Sequence, residues 1–145
     1  MKKLAALWAV LLGTSAAAAA PEYLGRPELG GQPLPFSDAV RVGDMLYLSG
    51  QIGRVDGKVP EGIEAQTKAI MDGIGEVLKR SNLTHDDIVK CTVMLDDMAD
   101  WPAFNAVYVP YFKPGRMPAR SAFGTDGLAL GAKVEVECMA YAGKK

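Results

Sequence analysis

The sequence is poor in the residues that build metal and nucleotide sites. Its 145 residues include one histidine and two cysteines, and none of them has HxxE or CxxC spacing, so no metal site is predicted. No P-loop and no GxGxxG motif occurs, so nucleotide binding by those routes is not supported. The single histidine, His85, lies in the polar stretch SNLTHDD without a nucleophile motif nearby. We therefore expect it to be solvated rather than part of a catalytic triad.

Long hydrophobic runs are also absent, except at the N-terminus. Two lysines precede the apolar stretch LAALWAVLLG, and the small residues TSAAAAA follow it. This layout is typical of a secretory signal peptide, and the apolar run is too short to span a membrane. We expect residues 1–19 to be removed, with the cut near Ala18 or Ala19. The mature protein should then be exported to the periplasm, without a membrane anchor. An uncleaved N-terminal anchor is the alternative.

Excess positive charge is lacking as well. Loss of Lys2 and Lys3 with the signal peptide leaves 14 basic against 17 acidic residues, a formal charge of −3. Nucleic-acid binding needs a basic face, so no nucleic-acid partner is expected. Residues 20–33, rich in proline and glycine, are predicted to be an irregular lead-in, and residues 34–145 a single domain.

The two cysteines lie in strand-like runs, VKCTV and VECMA. Cys91 and Cys138 share the parity of their apolar neighbours, which is typical of small buried hydrophobic residues. The alternative is a disulfide between them, which can form only if their strands are neighbours and their Cα atoms lie within about 7 Å. A catalytic thiol is less favoured because no histidine motif accompanies either residue.

The remaining pattern predicts strands, a helix, a strand, a second helix and two final strands. Gly43-Asp44 separates two alternating runs as in a β-hairpin, and Asp56-Gly57 predicts a second turn. Apolar residues recur with helical spacing from Glu61 to about Arg80. In the next strand, DIVKCTVMLDD, we expect one buried set of side chains: Val89, Cys91, Val93 and Leu95.

A second helix should begin after Asp100 as its N-cap, and Pro110 should kink or end it. The segments ARSAFG and KVEVECMAYA predict the last two strands. The whole is an α+β domain, with a single mixed β-sheet and two α-helices packed on one face. The other face carries Lys133, Glu135, Glu137 and Met139 on the last strand, which suits solvent or a subunit interface.

A few polar residues lie within these elements. Arg120 stands in MPARSAFG, Glu135 in VEVE, Ser49 at the end of MLYLS, and Asn105 in the second helix. Each has an ordinary structural explanation when taken singly. Arg120 could pair with a glutamate, Ser49 could cap a turn, and Asn105 could cap a helix or face solvent.

Together, however, four segments resemble the RidA/YjgF family of enamine/imine deaminases: PFSDAVRVGDMLYLSGQIG, DIVKCTVMLDDMADWPAFNAVYVPYF, PARSAFG and KVEVECMA. The resemblance covers about Leu34 to Ala142. It implies a chorismate-mutase-like α+β fold and a homotrimer whose active sites lie in clefts between subunits.

The resemblance also implies roles for individual residues. Arg120 would bind a substrate carboxylate, Glu135 would orient the attacking water, and Ser49 and Asn105 would lie near the ligand. Phe36 stands where the family often has a tyrosine, so it would wall the site without offering a hydroxyl.

The activity implied is hydrolysis of small 2-enamino and 2-imino acids, such as 2-aminoacrylate, to 2-keto acids and ammonia, without a metal or organic cofactor. Three alternatives stay open. One is a non-catalytic exported trimer that binds small carboxylates, and another is a holdase of unfolded proteins. The third is an endoribonuclease, which the acidic balance disfavours.

Overall fold

The fold is seen in a computed structural model that describes residues 20–25, 28–29 and 31–143. The predicted signal peptide lies outside the described residues. Within them the chain forms nine strands and two helices, in this order: β1 Glu22–Leu24, β2 Glu28–Leu29, β3 Gln32–Pro33, β4 Ala39–Val42, β5 Met45–Leu48, β6 Gln51–Ile52, α1 Ile63–Arg80, β7 Ile88–Leu95, α2 Trp101–Tyr108, β8 Ala119–Gly124 and β9 Val134–Tyr141.

The main sheet is mixed, as predicted. Its strand order is β1-β4-β5-β9-β7-β8, and β6 also pairs with β9. All of these pairs are antiparallel except β7 and β8, which run parallel with α2 as their crossover. The expected hairpin is present between β4 and β5, where Gly43 has a φ of 58° that favours glycine.

One face of the sheet packs against both helices. The buried side chains of β9 are Val134, Val136, Cys138 and Ala140, and they belong to the same core cluster as residues of α1 and α2. The intervening residues Glu135, Glu137, Met139 and Tyr141 are half-buried or exposed on the other face. This alternation follows from the two-residue period of a strand and confirms the predicted layering.

Helix α1 contains two glycines that its packing requires. A Cβ on Gly73 would lie 2.6 Å from Oε1 of Gln51, and one on Gly75 would lie 2.9 Å from the ring of His85. The sequence-based expectation that His85 is solvated was therefore wrong. Its ring is half-buried against α1, and Nε2 lies 2.9 Å from the Met71 carbonyl oxygen.

Helix α2 ends at Tyr108, and Pro110 lies in the 3₁₀ turn that follows, as expected from its missing N–H. The start of the helix differs from the prediction. Asp100 makes no side-chain capping bond and accepts instead from Lys133 Nζ at 3.1 Å. The preceding 3₁₀ turn is capped by Asp97, whose Oδ1 accepts from the Ala99 N–H at 2.8 Å.

Strand β7 departs from simple alternation at its beginning. Its register against β9 shifts between Ile88 and Lys90, so the two strands are offset by one residue as in a β-bulge. As a result Val89, predicted to be buried, is 43% exposed, and Ile88 is buried instead. Cys91, Val93 and Leu95 are buried as predicted.

The two cysteines are joined. Cys91 and Cys138 lie directly opposite each other in the β7–β9 pair, their Cα atoms are 4.1 Å apart, and they form a disulfide. Both are also buried in the core. The two conditions stated from the sequence, neighbouring strands and close Cα atoms, are therefore met.

The lead-in is more regular than its composition predicted. β1 pairs with β4 at the edge of the main sheet, and β2 pairs with β3 as a small separate ribbon. Backbone hydrogen bonding to a neighbouring strand supplies order that local composition does not encode. None of the helices in the described part of the chain is long and apolar enough to cross a membrane.

Candidate active site

Arg120 is placed by the parallel pairing of β8 with β7. It stands in register with Cys91, and side chains in register on neighbouring strands point to the same face. Because Cys91 is in the core, Arg120 points to the helix-covered face, at the sheet edge beneath α2. Its side chain is half-buried there.

Helix α2 supplies the partners of Arg120. Nη1 donates a hydrogen bond to Oδ1 of Asn105 at 2.7 Å. The guanidinium carbon lies 5.0 Å from the ring centroids of Trp101 and Tyr108 and 5.9 Å from that of Phe104, within the range of cation–π attraction. These four residues are spaced i, i+3, i+4 and i+7, which brings them to one side of a helix.

All of these partners are uncharged. Burial raises the pKa of Tyr108 to about 12, although the positive charge of Arg120 opposes the rise, so the phenol is neutral near pH 7. Among the described residues Arg120 has no ion pair, and only one of its five donors is in a hydrogen bond. The guanidinium is therefore fixed in place while its charge and most of its donors remain available to an anion.

Glu135 is placed on the opposite face. In β9 it lies between the buried Val134 and Val136 and is paired with Met94 and Ile52. Its carboxylate lies over Gly50, because a Cβ on that glycine would overlap Oε1 of Glu135. The Glu135 carboxylate has no hydrogen-bond or ion-pair partner among the described residues. The ion pair with Arg120 that the sequence left open is therefore not formed within the chain.

Ser49, Gly50 and Phe36 line a cavity of about 720 Å³ that also reaches helix α1. Glu135 adjoins Gly50 but is not among the residues that line this cavity. The Ser49 hydroxyl donates to the Ser37 carbonyl oxygen at 2.6 Å, and its lone pairs can still accept a hydrogen bond. Phe36 is 54% exposed and presents its ring at the cavity.

The predicted site residues thus form two groups. The arginine group consists of Arg120, Asn105, Trp101 and Tyr108, and the glutamate group of Glu135, Gly50, Ser49 and Phe36. Within one chain the two groups lie on different faces of the sheet. A ligand that contacts both Arg120 and Glu135 therefore needs groups from two copies of the chain.

Sequence reasoning missed Trp101, Tyr108 and Gly50. The helical spacing of Trp101 and Tyr108 relative to Asn105 is visible in the sequence and could have grouped them. Nothing local indicates Gly50, whose role depends on a carboxylate 85 positions further along the chain. In the described ranges no cluster of three or more histidine, cysteine, aspartate or glutamate side chains could hold a metal ion.

The fold and the two groups define a class of protein. It is an α+β domain in which an edge strand carries an arginine without an ion-pair partner, and the open face of the sheet carries a carboxylate. Residues 31–142 match a family model described as endoribonuclease L-PSP. The chain belongs to that family, known as RidA/YjgF, as its resemblance predicted.

Several curated relatives carry deaminase names, and two of them are described here. The chain is 40% identical over 109 residues to the Reactive Intermediate Deaminase A, chloroplastic, of Arabidopsis thaliana, covering 73% of this chain but 58% of that protein. It is 38% identical over 112 residues to the 2-iminobutanoate/2-iminopropanoate deaminase of Mus musculus, covering 75% and 82% of the two chains.

A solved structure agrees with the fold. A protein of unknown function of the conserved Rid protein family, from Yersinia pestis, superposes with a TM-score of 0.77 at 34% identity. The match covers 84% of this chain and 99% of that one. Sequence and structure therefore assign the same family.

Proposed function

We propose that the protein hydrolyses small 2-enamino and 2-imino acids to 2-keto acids and ammonia. The observation that carries this proposal is the state of Arg120, which is held by neutral groups with its charge uncompensated. A planar guanidinium binds a carboxylate through two parallel charge-assisted hydrogen bonds. The names of the relatives from Arabidopsis thaliana and Mus musculus support the same chemistry.

In the proposed reaction Arg120 holds the substrate carboxylate and so fixes the C=N carbon. Glu135 accepts a proton from a water, or orients it, while the water oxygen adds to that carbon. The nitrogen takes up protons, the C–N bond breaks, and the products are a 2-keto acid and ammonia. Imines hydrolyse readily unaided, so a moderate lowering of the barrier suffices, and no metal or organic cofactor takes part.

The proposal includes a homotrimer. The arginine group of one subunit would face the glutamate group of the next, because the two groups lie on different faces of one sheet. Head-to-tail contacts of this kind close into a ring under cyclic symmetry. The open sheet face, with exposed Tyr47 and Tyr141, would supply the contact between subunits.

Phe36 stands where the resemblance to the family predicts a tyrosine. It offers an apolar wall to the cavity but no hydroxyl. In the proposal this changes the choice of substrate and leaves the reaction unchanged, because neither carboxylate binding by Arg120 nor activation of water by Glu135 uses that position.

Subunit complementation tests the proposal directly. Arg120→Ala and Glu135→Gln proteins are each inactive in our expectation. If they are unfolded together and refolded as an equal mixture, about a quarter of the interfaces combine an intact Arg120 with an intact Glu135 under random assembly. Ammonia release from an enzymatically generated imine should then return to about a quarter of the wild-type rate.

The outcome distinguishes the alternatives. No recovery in mixed trimers would show that the site is not shared between subunits. Keto-acid binding without ammonia release by the wild-type protein would favour the non-catalytic carboxylate binder. Retained hydrolysis by the Arg120→Ala protein would contradict a role of Arg120 in the reaction. Loss of the oligomer on this substitution would favour a structural role for Arg120 instead.

We also propose that the protein is exported to the periplasm after removal of residues 1–19. The Cys91–Cys138 disulfide supports this, since structural disulfides persist in oxidising compartments and are rare in the cytosol. Imines outside the cytosol would come from reactions such as amino-acid oxidation. Cell fractionation with N-terminal mass analysis tests the location, and a full-length cytosolic chain would contradict it.

A further inference from the structure

Trp101 packs against the guanidinium of Arg120 at the start of α2. It is the first residue of that helix, it is half-buried, and its ring centroid lies 5.0 Å from the guanidinium carbon. The ring of Tyr108 lies at the same distance from this carbon. Residues seven positions apart on a helix are separated by about 10.5 Å along its axis. A carbon that is 5.0 Å from both centroids therefore lies between the two rings.

The two rings differ in what else they contact. Tyr108 is 1% exposed, and its ring also packs against Phe104 and Phe112, with centroids 5.1 Å and 4.8 Å away. It is a core residue, and Arg120 is one of its several neighbours. For Trp101, in the described part of the chain, the guanidinium is the only partner in a ring or cation–π contact. Trp101 is therefore the ring whose contact is specific to the arginine.

The hydrogen bond to Asn105 determines which edge of the guanidinium is free. It uses Nη1, and Nε and Nη2 of Arg120 donate no hydrogen bond to any described residue. Nε and Nη2 form one edge of the planar group, and their parallel N–H bonds match the two oxygens of a carboxylate. The amide holds one end of the plane and the rings hold its faces, so this edge is the one presented to a ligand.

We propose that Trp101 is a positioning residue, whose ring holds the guanidinium so that the Nε–Nη2 edge of Arg120 meets the substrate carboxylate. The inference rests on the proposed function and adds to it a residue that acts through the arginine. An arginine that is already restrained loses less side-chain freedom on binding. A neutral ring also leaves the free edge unoccupied, whereas a carboxylate partner would compete with the substrate for it.

Three variants test this role. Trp101→Leu removes the ring and keeps an apolar side chain, whereas Trp101→Phe keeps an aromatic face. Tyr111→Leu is the matched control, because Tyr111 is also a partly buried aromatic residue packed on the core, but its partners are His85 and Asp72. Ammonia release from enzymatically generated 2-iminopropanoate gives kcat/KM. It should fall about 5- to 30-fold in Trp101→Leu, stay within about threefold in Trp101→Phe, and stay within about twofold in Tyr111→Leu.

Binding is measured separately from turnover. Lactate, a stable carboxylate of similar size, is titrated by calorimetry, and its dissociation constant should rise about 5- to 30-fold in Trp101→Leu. Trp101 also gives an optical signal. Trp8, the other tryptophan, lies in the predicted signal peptide, so Trp101 is the only tryptophan of the processed chain. Because indole emission responds to nearby charge, lactate should change the emission of the wild type and leave that of Arg120→Ala unchanged.

The outcomes separate this inference from the proposed function. A wild-type rate in Trp101→Leu, equal losses in Trp101→Leu and Trp101→Phe, or an equal loss in Tyr111→Leu overturns the inference while the proposed function stands. So does lactate binding to the wild type without any change in emission, a result that needs no variant to fold. If the wild type binds lactate but hydrolyses no imine, the proposed function fails. The lactate dissociation constant of Trp101→Leu then still decides the role of Trp101.

Discussion

The arginine group and the glutamate group are built in opposite ways. Arg120 is held by side chains: an amide and aromatic rings of one helix surround a cation at the sheet edge. Glu135 has no such enclosure: its carboxylate occupies the space that the missing Cβ of Gly50 leaves, and it has no hydrogen-bond partner in the described residues. Both charges are left uncompensated, but one is enclosed by packing and the other is open.

The two groups show two ways in which a charged side chain stays available to a ligand. An arginine paired with a carboxylate would satisfy its charge internally, whereas aromatic faces and an amide oxygen orient it at a cost of one donor. The Glu135 carboxylate, in contrast, depends on space, because a Cβ on Gly50 would overlap its Oε1. Removing each device separately shows which one the activity depends on.

The largest expected effect comes from Arg120. Arg120→Ala would remove the two charge-assisted hydrogen bonds proposed for the substrate carboxylate, each worth about 1.5–3 kcal/mol, so kcat/KM should fall about 1,000-fold. Arg120→Lys keeps the charge but not the two-pronged geometry and should recover only part of the loss. Size-exclusion chromatography serves as the control for assembly. Equal activity of the lysine variant and the wild type would show that charge alone is sufficient.

The disulfide connects the strand paired with β8 to the strand that carries Glu135. It closes a loop of 47 residues, so its loss should cost about 4 kcal/mol in the free energy of unfolding. Urea unfolding of the Cys91→Ala/Cys138→Ala protein against the oxidised wild type measures this. Intact mass before and after reduction confirms the bond in the sample. A difference below about 1 kcal/mol would mean that the bond contributes little beyond core packing.

Gly50→Ala should break the glutamate group alone. The new Cβ would displace the Glu135 carboxylate, and a misplacement of about 1 Å can cost about 100-fold in rate. Because the carboxylate is the flexible end of a side chain, stability should change little. Steady-state kinetics and thermal unfolding are measured together. An unchanged rate would indicate that the position of Glu135 is not critical, and a large loss of stability would indicate a structural role for Gly50.

The smallest effect tests the neutrality of Tyr108. Its pKa is 10.0 in the absence of perturbation and about 12 in the folded protein, because burial raises it. Raising the pH therefore ionises the unfolded chain first and destabilises the folded one. From about pH 8 to about pH 11 the wild type should lose about 1 kcal/mol more than Tyr108→Phe. Urea titrations at the two pH values measure it, and identical losses would contradict the buried, neutral phenol.

Much of the fold could be predicted from the sequence. The hairpin at Gly43, the end of α2 at Pro110 and the two faces of β9 all follow from local rules of turn chemistry, missing N–H groups and alternation. The failures have tertiary causes. Val89 turned outward because of a register shift against β9, and His85 is half-buried because Gly75 leaves room for its ring on α1.

The site was predicted less completely. The motifs singled out Arg120, Glu135, Ser49, Asn105 and Phe36, but they could not show that these residues form two groups. Whether Arg120 and Glu135 meet depends on the face to which each strand directs them. That follows from the registers of β8 on β7 and of β9 on β6, which are long-range pairings.

The family could be predicted from the resemblance of four sequence motifs, and the α+β class and the order of the elements from hydrophobic period and turn residues, because all of these are local features of the chain. The three-dimensional fold was needed to show that Arg120 lies on the helix-covered face with neutral partners, opposite Glu135, and that the cysteines are joined. It also produced the cavity against α1. These features depend on which distant segments are brought together, and strand register, rather than local propensity, controls that.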